Sequence, residues 1–324
     1  MKIGKLPNSL LEKIVIEPVN SHSVDRKEVI LKPSIGEDCA ALKLGNNICL
    51  LSTDPITGAV EDIGKLAINI NTNDIASSGG EPVGIMVTAL LPADISEEEI
   101  SKIIEDLYSE AEKVNVAILG GHTEITDAVN KPVLSCTVIG KTKKLIPSCG
   151  AKTGDSVIMT KYAAMEGTSI FAWDKADKLK NVDSNLIERA KKLSNSLSVI
   201  KEGKIGARLG AHAMHDVTES GILGACWEIA DCAGLGIEVY IDKIPILSET
   251  EIICKELGVN PLRLISSGSM LIVCNNEEEM VSELEKAGIK ATVIGRIIGK
   301  HKTVLINGVR EQLEEPDVDE LYKV

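Results

Sequence analysis

Aromatic residues are scarce in this chain of 324 residues: one Phe, two Trp and four Tyr, 2% in all. Proteins that grip single-stranded nucleic acid stack bases on such rings, so that class of function has little to build on. No G-x-x-x-x-G-K-[ST] and no G-x-G-x-x-G occurs, which removes both the P-loop and the dinucleotide fingerprint. Any nucleotide must be held in another way. The eight cysteines include no C-x-x-C pair and no Cys/His group at zinc spacing, and they read as reduced, mostly buried thiols. No stretch of about eighteen apolar residues is present. Nor does the segment from Met1 to Pro7 carry an apolar run or a small-residue cleavage site. The expectation is a cytoplasmic protein without membrane contact.

What the chain does have is acid. Its formal net charge is -13 and its pI about 5.0, which argues against a nucleic-acid footprint, because phosphate backbones are held by clustered Lys and Arg. Much of that charge serves solubility, and the rest leaves carboxylates for metal ions. Hydrophobic residues at 44% suffice for real cores, and the length favours two domains. The turn-rich stretch from Leu145 to Gly154 separates two strand candidates, giving domains 1–148 and 149–324.

Local patterns predict mixed α and β structure. Ile48 to Thr53 reads as a strand ending at Asp54-Pro55, since the residue before proline avoids the helical region. From Glu61 to Ser78, apolar Ile63, Leu66, Ala67 and Ile70 recur at helical spacing, but Asn69, Asn71, Asn73 and Asp74 make this an unusually polar helix. Ser96 with Glu99 forms a capping box before the stripe Ile100, Ile103, Ile104, Leu107 and Ala111. A buried strand is expected over 115–119, running into a Gly120-Gly121 turn, with another strand over 132–140. Beyond the boundary, strands are expected over 156–160 and near Met214, Ile237, Met270 and Thr292. Helices are expected over 185–197, over 219–233 and at the Met280, Leu284, Ala287 stripe. The acidic tail from Glu311 to Glu320 reads as a solvated end.

Chemistry gathers at a few short motifs, each with an ordinary alternative. In Gly36-Glu37-Asp38-Cys39-Ala40 two acids follow a glycine before a strand, as in many surface turns. Asp54 is a candidate oxygen ligand or a turn cap before Pro55; Asn71 and Asp74 share one helical face and are ligands or a solvated surface. Magnesium takes oxygen ligands, often one or two carboxylates with water and phosphate, so dispersed acids that converge would suit it. Gly120-Gly121-His122-Thr123-Glu124 offers backbone N-H groups to phosphate and Glu124 to metal, or is a plain turn in which His122 is structural. Asp216-Val217-Thr218-Glu219-Ser220-Gly221 joins a strand to a helix, with Thr218 as N-cap and free N-H groups for an anion. Lys161 to Thr168 is a weaker candidate of the same kind.

Taken in order, Gly-Glu-Asp-Cys-Ala at 36–40, Ser-Thr-Asp-Pro at 52–55, Asn-x-x-Asp-Ile-Ala at 71–76, Gly-Gly-His-Thr-Glu at 120–124 and Asp-Val-Thr-Glu-Ser-Gly at 216–221 resemble the ATP-binding superfamily of aminoimidazole ribonucleotide synthetase (PurM), with HypE hydrogenase maturation proteins as the nearest branch. The Gly-Ala-Lys-Thr-Gly-Asp turn at 150–155 fits the same pattern, and together the motifs span nearly the whole chain. The resemblance implies a two-domain α/β (α+β) PurM-like fold, an N-terminal domain that dimerises through its strands, a C-terminal α/β domain, and ATP with Mg2+ in the cleft. Carried over motif by motif, it assigns metal to Asp38, Asp54, Asp74 and Glu124, and nucleotide or phosphate contacts to these and to Asn71, Gly120, Gly121 and Asp216.

The implied reaction is transfer of the γ-phosphoryl group to a small molecule, or phosphorylation of a carbonyl or amide oxygen so that the oxygen leaves as phosphate. The acceptor, small molecule or protein, is unidentified. HypE carries its substrate group on a C-terminal cysteine, whereas this sequence ends Glu320-Leu321-Tyr322-Lys323-Val324 and its last cysteine is Cys274. The alternative is therefore a HypE-like maturation partner that uses ATP as a regulatory ligand.

Overall fold

In the computed structural model, residues 4–24 and 26–324 are described. Short helices α1 (Asn8–Leu11) and α2 (Glu17–His22), joined by a π-helical turn, lead into a six-stranded sheet. Its strands are β1 (Val29–Leu31), β2 (Ala40–Leu44), β3 (Asn47–Ile56), β4 (Glu81–Leu91), β5 (Ala117–Ile125) and β6 (Val133–Thr142), in the order β1-β2-β3-β6-β4-β5. Only β4 and β5 pair in parallel. Helix α3 (Ile63–Ser77) lies across this sheet, backed by α4 (Glu97–Lys113), which starts at the expected capping box of Ser96 and Glu99.

A seven-stranded sheet follows. It is built from β7 (Ser156–Thr160), β8 (Ala213–Asp216), β9 (Gly236–Tyr240), β10 (Met270–Cys274), β11 (Ala291–Ile298), β12 (Lys302–Ile306) and β13 (Val309–Gln312), in the order β13-β12-β9-β11-β7-β10-β8. The helices of this half are α5 (Met165–Asp174), α6 (Ser184–Lys191), α7 (Ile200–Leu209), α8 (Gly221–Cys232), α9 (Ser248–Leu257) and α10 (Glu277–Lys286). The two-domain α/β architecture is the one the motifs implied.

Helix α3 explains how the halves meet. Fourteen of its residues are buried, polar ones included. Burying such groups is tolerable only when each finds a partner. Asn73 donates to Leu197 O at 2.9 Å and accepts from Val199 N at 2.8 Å, which fastens α3 to the chain entering α7. Thr72 returns its hydroxyl to Ile68 O at 2.7 Å, and Asn69 reaches Glu110 on α4 at 3.0 Å. Close approach is needed as well: a Cβ on Gly203 of α7 would stand 2.3 Å from Ala76 O. Of the two readings open for Asn71 and Asp74, the solvated face is excluded: both are buried, and the asparagines of this helix are internal fasteners.

Three further expectations change. Strand β3 runs on through Asp54 and Pro55 to Ile56. The partner β2 reaches only as far as Leu51, so beyond it β3 is bonded on one side alone and tolerates a residue without N-H. The strand predicted as buried over 115–119 is β5, longer and exposed at every residue, and Gly120 and Gly121 lie inside it rather than in a turn after it. Both glycines adopt positive φ, and a Cβ on Gly121 would come 1.8 Å from Val87 O. The acidic tail is no solvated end: Leu313, Asp319, Glu320 and Leu321 are buried. Asp319 accepts from Ser220 N at 2.6 Å, Leu321 N at 2.8 Å and Ile265 N at 3.2 Å.

Candidate functional site

The acids predicted from scattered motifs converge where α3 faces the two sheets. Asp38 leads into β2, Asp54 lies on β3, Asp74 on α3 and Asp216 at the end of β8. Ser77 donates to Asp38 Oδ2 at 2.6 Å, and Ser52 hydrogen bonds to Asp74. Asn71 accepts from Asp54 N at 3.0 Å, so this side chain braces the backbone of β3.

Crowding leaves an electrostatic mark. Burial, and then the neighbouring charges of Asp54, Asp216 and Asp38, hold the Asp74 carboxyl well above the usual carboxylate range. Asp216 is pushed well up by burial and by Asp38, with partial relief from His215. Asp54 is raised mainly by burial, against a lowering hydrogen bond with Asp74. One oxygen of Asp216, Oδ2, is buried without a hydrogen-bond partner. An orphaned acceptor among mutually repelling acids is what a cation relieves.

Sequence reasoning missed the counter-charges. His215 Nδ1 lies 2.9 Å from Asp38 Oδ1, and Nε2 lies 3.3 Å from Glu228 Oε2 on α8. Burial alone would lower the imidazole pKa, but Asp38 and Glu228 raise it well above its usual value. Burial likewise acts to raise Glu228, yet His215 and Lys5 bring it down to about 2. Lys5, 3.7 Å from Glu228, is itself raised, chiefly by that carboxylate. The one available signal was His215 immediately preceding Asp216; nothing local marks Lys5 or Glu228.

Other predicted residues lie elsewhere. Gly120, Gly121 and Glu124 sit on exposed β5, where Glu124 pairs with His122 at 3.4 Å. Lys161 is engaged by Glu202 at 2.9 Å and Ser198 O at 2.6 Å, which explains it without phosphate. Thr218 does not cap α8. Ser220, at φ 64°, precedes the helix, and its N-H already meets the carboxylate of Asp319.

Residues 36–142 match the model of the AIR synthase related protein N-terminal domain, and residues 152–307 that of the C-terminal domain. The chain belongs to the AIR synthase-related, PurM-like family. Across 99% of this chain and 97% of the relative, it is 26% identical to a protein of Methanocaldococcus jannaschii provisionally named for hydrogenase expression/formation. It is 25% identical to the thiamine-monophosphate kinase of Pyrococcus abyssi over 87% of this chain and 88% of that one. The fold superposes on hydrogenase maturation protein HypE in complex with ATP with a TM-score of 0.70 at 17% identity, covering 99% of this chain and 98% of the other. Among the described residues, no helix of this family member is long and apolar enough to cross a membrane.

Proposed function

We propose that this AIR synthase-related chain binds ATP with Mg2+ at the crease lined by Asp38, Asp54, Asp74 and Asp216, and transfers the γ-phosphoryl group to a small molecule or to a carbonyl or amide oxygen. The observation that carries this reading is the unpartnered, buried Asp216 Oδ2 among raised carboxylates. A hard cation with oxygen ligands fits that donor set. Asp38, Asp54 and Asp74 would hold magnesium, whose charge would neutralise the phosphates and help orient them. Asn71 keeps Asp54 in register, Ser77 fixes one oxygen of Asp38, and buried His215, held between Asp38 and Glu228, supplies positive charge beside the acids.

Glu124, Gly120 and Gly121 belong to the proposal through a second copy of the chain. The strand that bears them is an exposed edge with Leu119 56% and Ile125 53% accessible, a surface suited to joining copies as a homodimer. We also place the boundary between the two units at residues 148 and 149, in the turn between β6 and β7.

Calorimetry with ATP and magnesium tests the core of the reading. Binding is expected in the native chain and lost in Asp38→Ala and Asp54→Ala; no binding by the native dimer, or binding that survives both changes, sinks it. A second reading, a maturation partner for which ATP is regulatory, is favoured by the near full-length hydrogenase-related relative. Steady ATP turnover with a metabolite and no protein partner speaks against that second reading.

A further inference from the structure

Next to Asp38, the fold assembles a second group of donors from chain segments far apart in sequence. Glu37 comes from the loop before β2, Cys149 from the turn between the two sheets, and Cys232 from the last residue of α8. Cys149 Sγ lies 2.7 Å and Cys232 Sγ 3.7 Å from Glu37 Oε1, and the ligand atoms of all three residues lie within 4.8 Å of one another. The carboxylate is aimed: Ser148 N and Cys149 N each donate to it at 3.3 Å. Gly36 turns the loop onto α8 at φ 77°, a left-handed conformation that glycine adopts without strain. All three side chains are half-buried, so an ion from solvent can reach them.

From this geometry we infer a binding site for one borderline-soft divalent cation of the zinc class, held by Glu37, Cys149 and Cys232, with water completing a tetrahedron. Zinc takes thiolate sulfur at about 2.3 Å and carboxylate oxygen at about 2.0 to 2.2 Å, which sets the ligand-to-ligand edges of a tetrahedron near 3.5 Å. The Glu37 to Cys232 separation already suits this, and Cys149 needs to retreat by less than about 1 Å. Without a cation both thiols keep their protons and donate to the Glu37 carboxylate. Burial, then the Glu37 carboxylate, pushes the Cys149 thiol up, and Cys232 is pushed up by burial, Cys149 and Glu37 together. On binding, the cation forms two metal-sulfur bonds and one metal-oxygen bond, and the two thiol protons leave to solvent. Two thiolates discriminate against magnesium, so this site and the crease beside Asp38 sort hard from soft ions. The bound cation would clamp the Asp38 loop to both halves of the molecule.

Cadmium is the probe, titrated into the reduced full-length chain with magnesium in excess to keep the all-oxygen crease occupied. One equivalent is expected to give a thiolate-to-metal charge-transfer band that zinc displaces. The band should vanish in Cys149→Ser and in Cys232→Ser, persist in Cys49→Ser, and persist in Glu37→Gln with affinity weakened at least roughly tenfold. Should the serine variants fail to fold, alkylation of the native chain decides instead: cadmium protects Cys149 and Cys232 from iodoacetamide and leaves Cys49 reactive. Absence of the band, its survival in either serine variant, or a Cys149–Cys232 disulfide that takes up no cadmium after reduction would overturn the assignment. Loss of ATP binding in Asp38→Ala with an intact cadmium band would separate this site from the nucleotide reading.

Discussion

The acid crease and the β5 edge were read from motifs of the same kind, yet they differ in almost every physical respect. In the crease, carboxylates are buried (Asp74, Asp216) or half-buried (Asp38, Asp54), mutually repelling and braced by Ser77 and Asn71. On β5, Glu124 stands in solvent beside His122, on a strand kept close to β4 because Gly121 has no side chain. The first region stores unfavourable charge for a ligand to relieve; the second stores nothing, and offers unpaired backbone and apolar side chains to another surface. A motif list therefore marks residues without saying whether the fold gathers them inside or leaves them on an open edge.

Asp54→Asn should break the first side of the comparison most severely. Turnover of ATP is expected to fall by roughly 100-fold or more, the usual scale for losing a charge-positioning group, while the melting temperature in metal-free buffer rises because repulsion is removed. Activity assays and thermal melts on the same preparation check both; a fall in both would mean that the acids hold the fold together. Gly121→Val attacks the second side. Its side chain must displace Val87 O, so a loss of about 2 to 3 kcal/mol in urea unfolding is expected, together with a shift toward monomer in light scattering.

A third prediction concerns pH and lies outside the crease. Glu166 is buried, and burial lifts its carboxyl to about 7 despite hydrogen bonding from Ser267. The native state thus holds a proton that the unfolded chain, near the usual 4.5, gives up. Stability should therefore fall as pH rises from about 4.5 to about 7 and level off above, by on the order of 3 kcal/mol. Glu166→Gln should flatten this part of the profile in melts recorded with magnesium present. The smallest effect belongs to Glu124→Gln: stability changes by less than about 0.5 kcal/mol because the side chain is exposed. Its ATP turnover should nonetheless drop measurably in the dimer, and unchanged turnover would remove Glu124 from the site.

How much of this was legible in the sequence follows from what each signal depends on. The capping box at Ser96 and the apolar run over 156–160 are local patterns, and both elements formed where expected. The Asp38, Asp54 and Asp74 motifs were legible through their order along the chain, and the fold brings them together with Asp216. Burial of α3 was not legible, because Asn73 finds its partners more than a hundred residues away at Leu197 and Val199. His215, Glu228 and the more exposed Lys5 were missed for the same reason: each charge is explained by its partner, and the partner is supplied by topology. The thiol pair at Cys149 and Cys232 escaped a search for zinc spacing because the spacing exists only in space.

The docking of the tail has a consequence in time. Asp319 accepts from Ser220 N at the start of α8, while Leu321 packs against Gly58 in the first half. During synthesis the chain lengthens from its N-terminus, so the start of α8 is made about a hundred residues before the carboxylate that secures it. Until residues 313–324 emerge, Ser220 must find water or another anion instead. Residues 313–324 thus act as a latch on the start of α8, and a chain cut before them would keep every strand of both sheets while leaving Ser220 N to water.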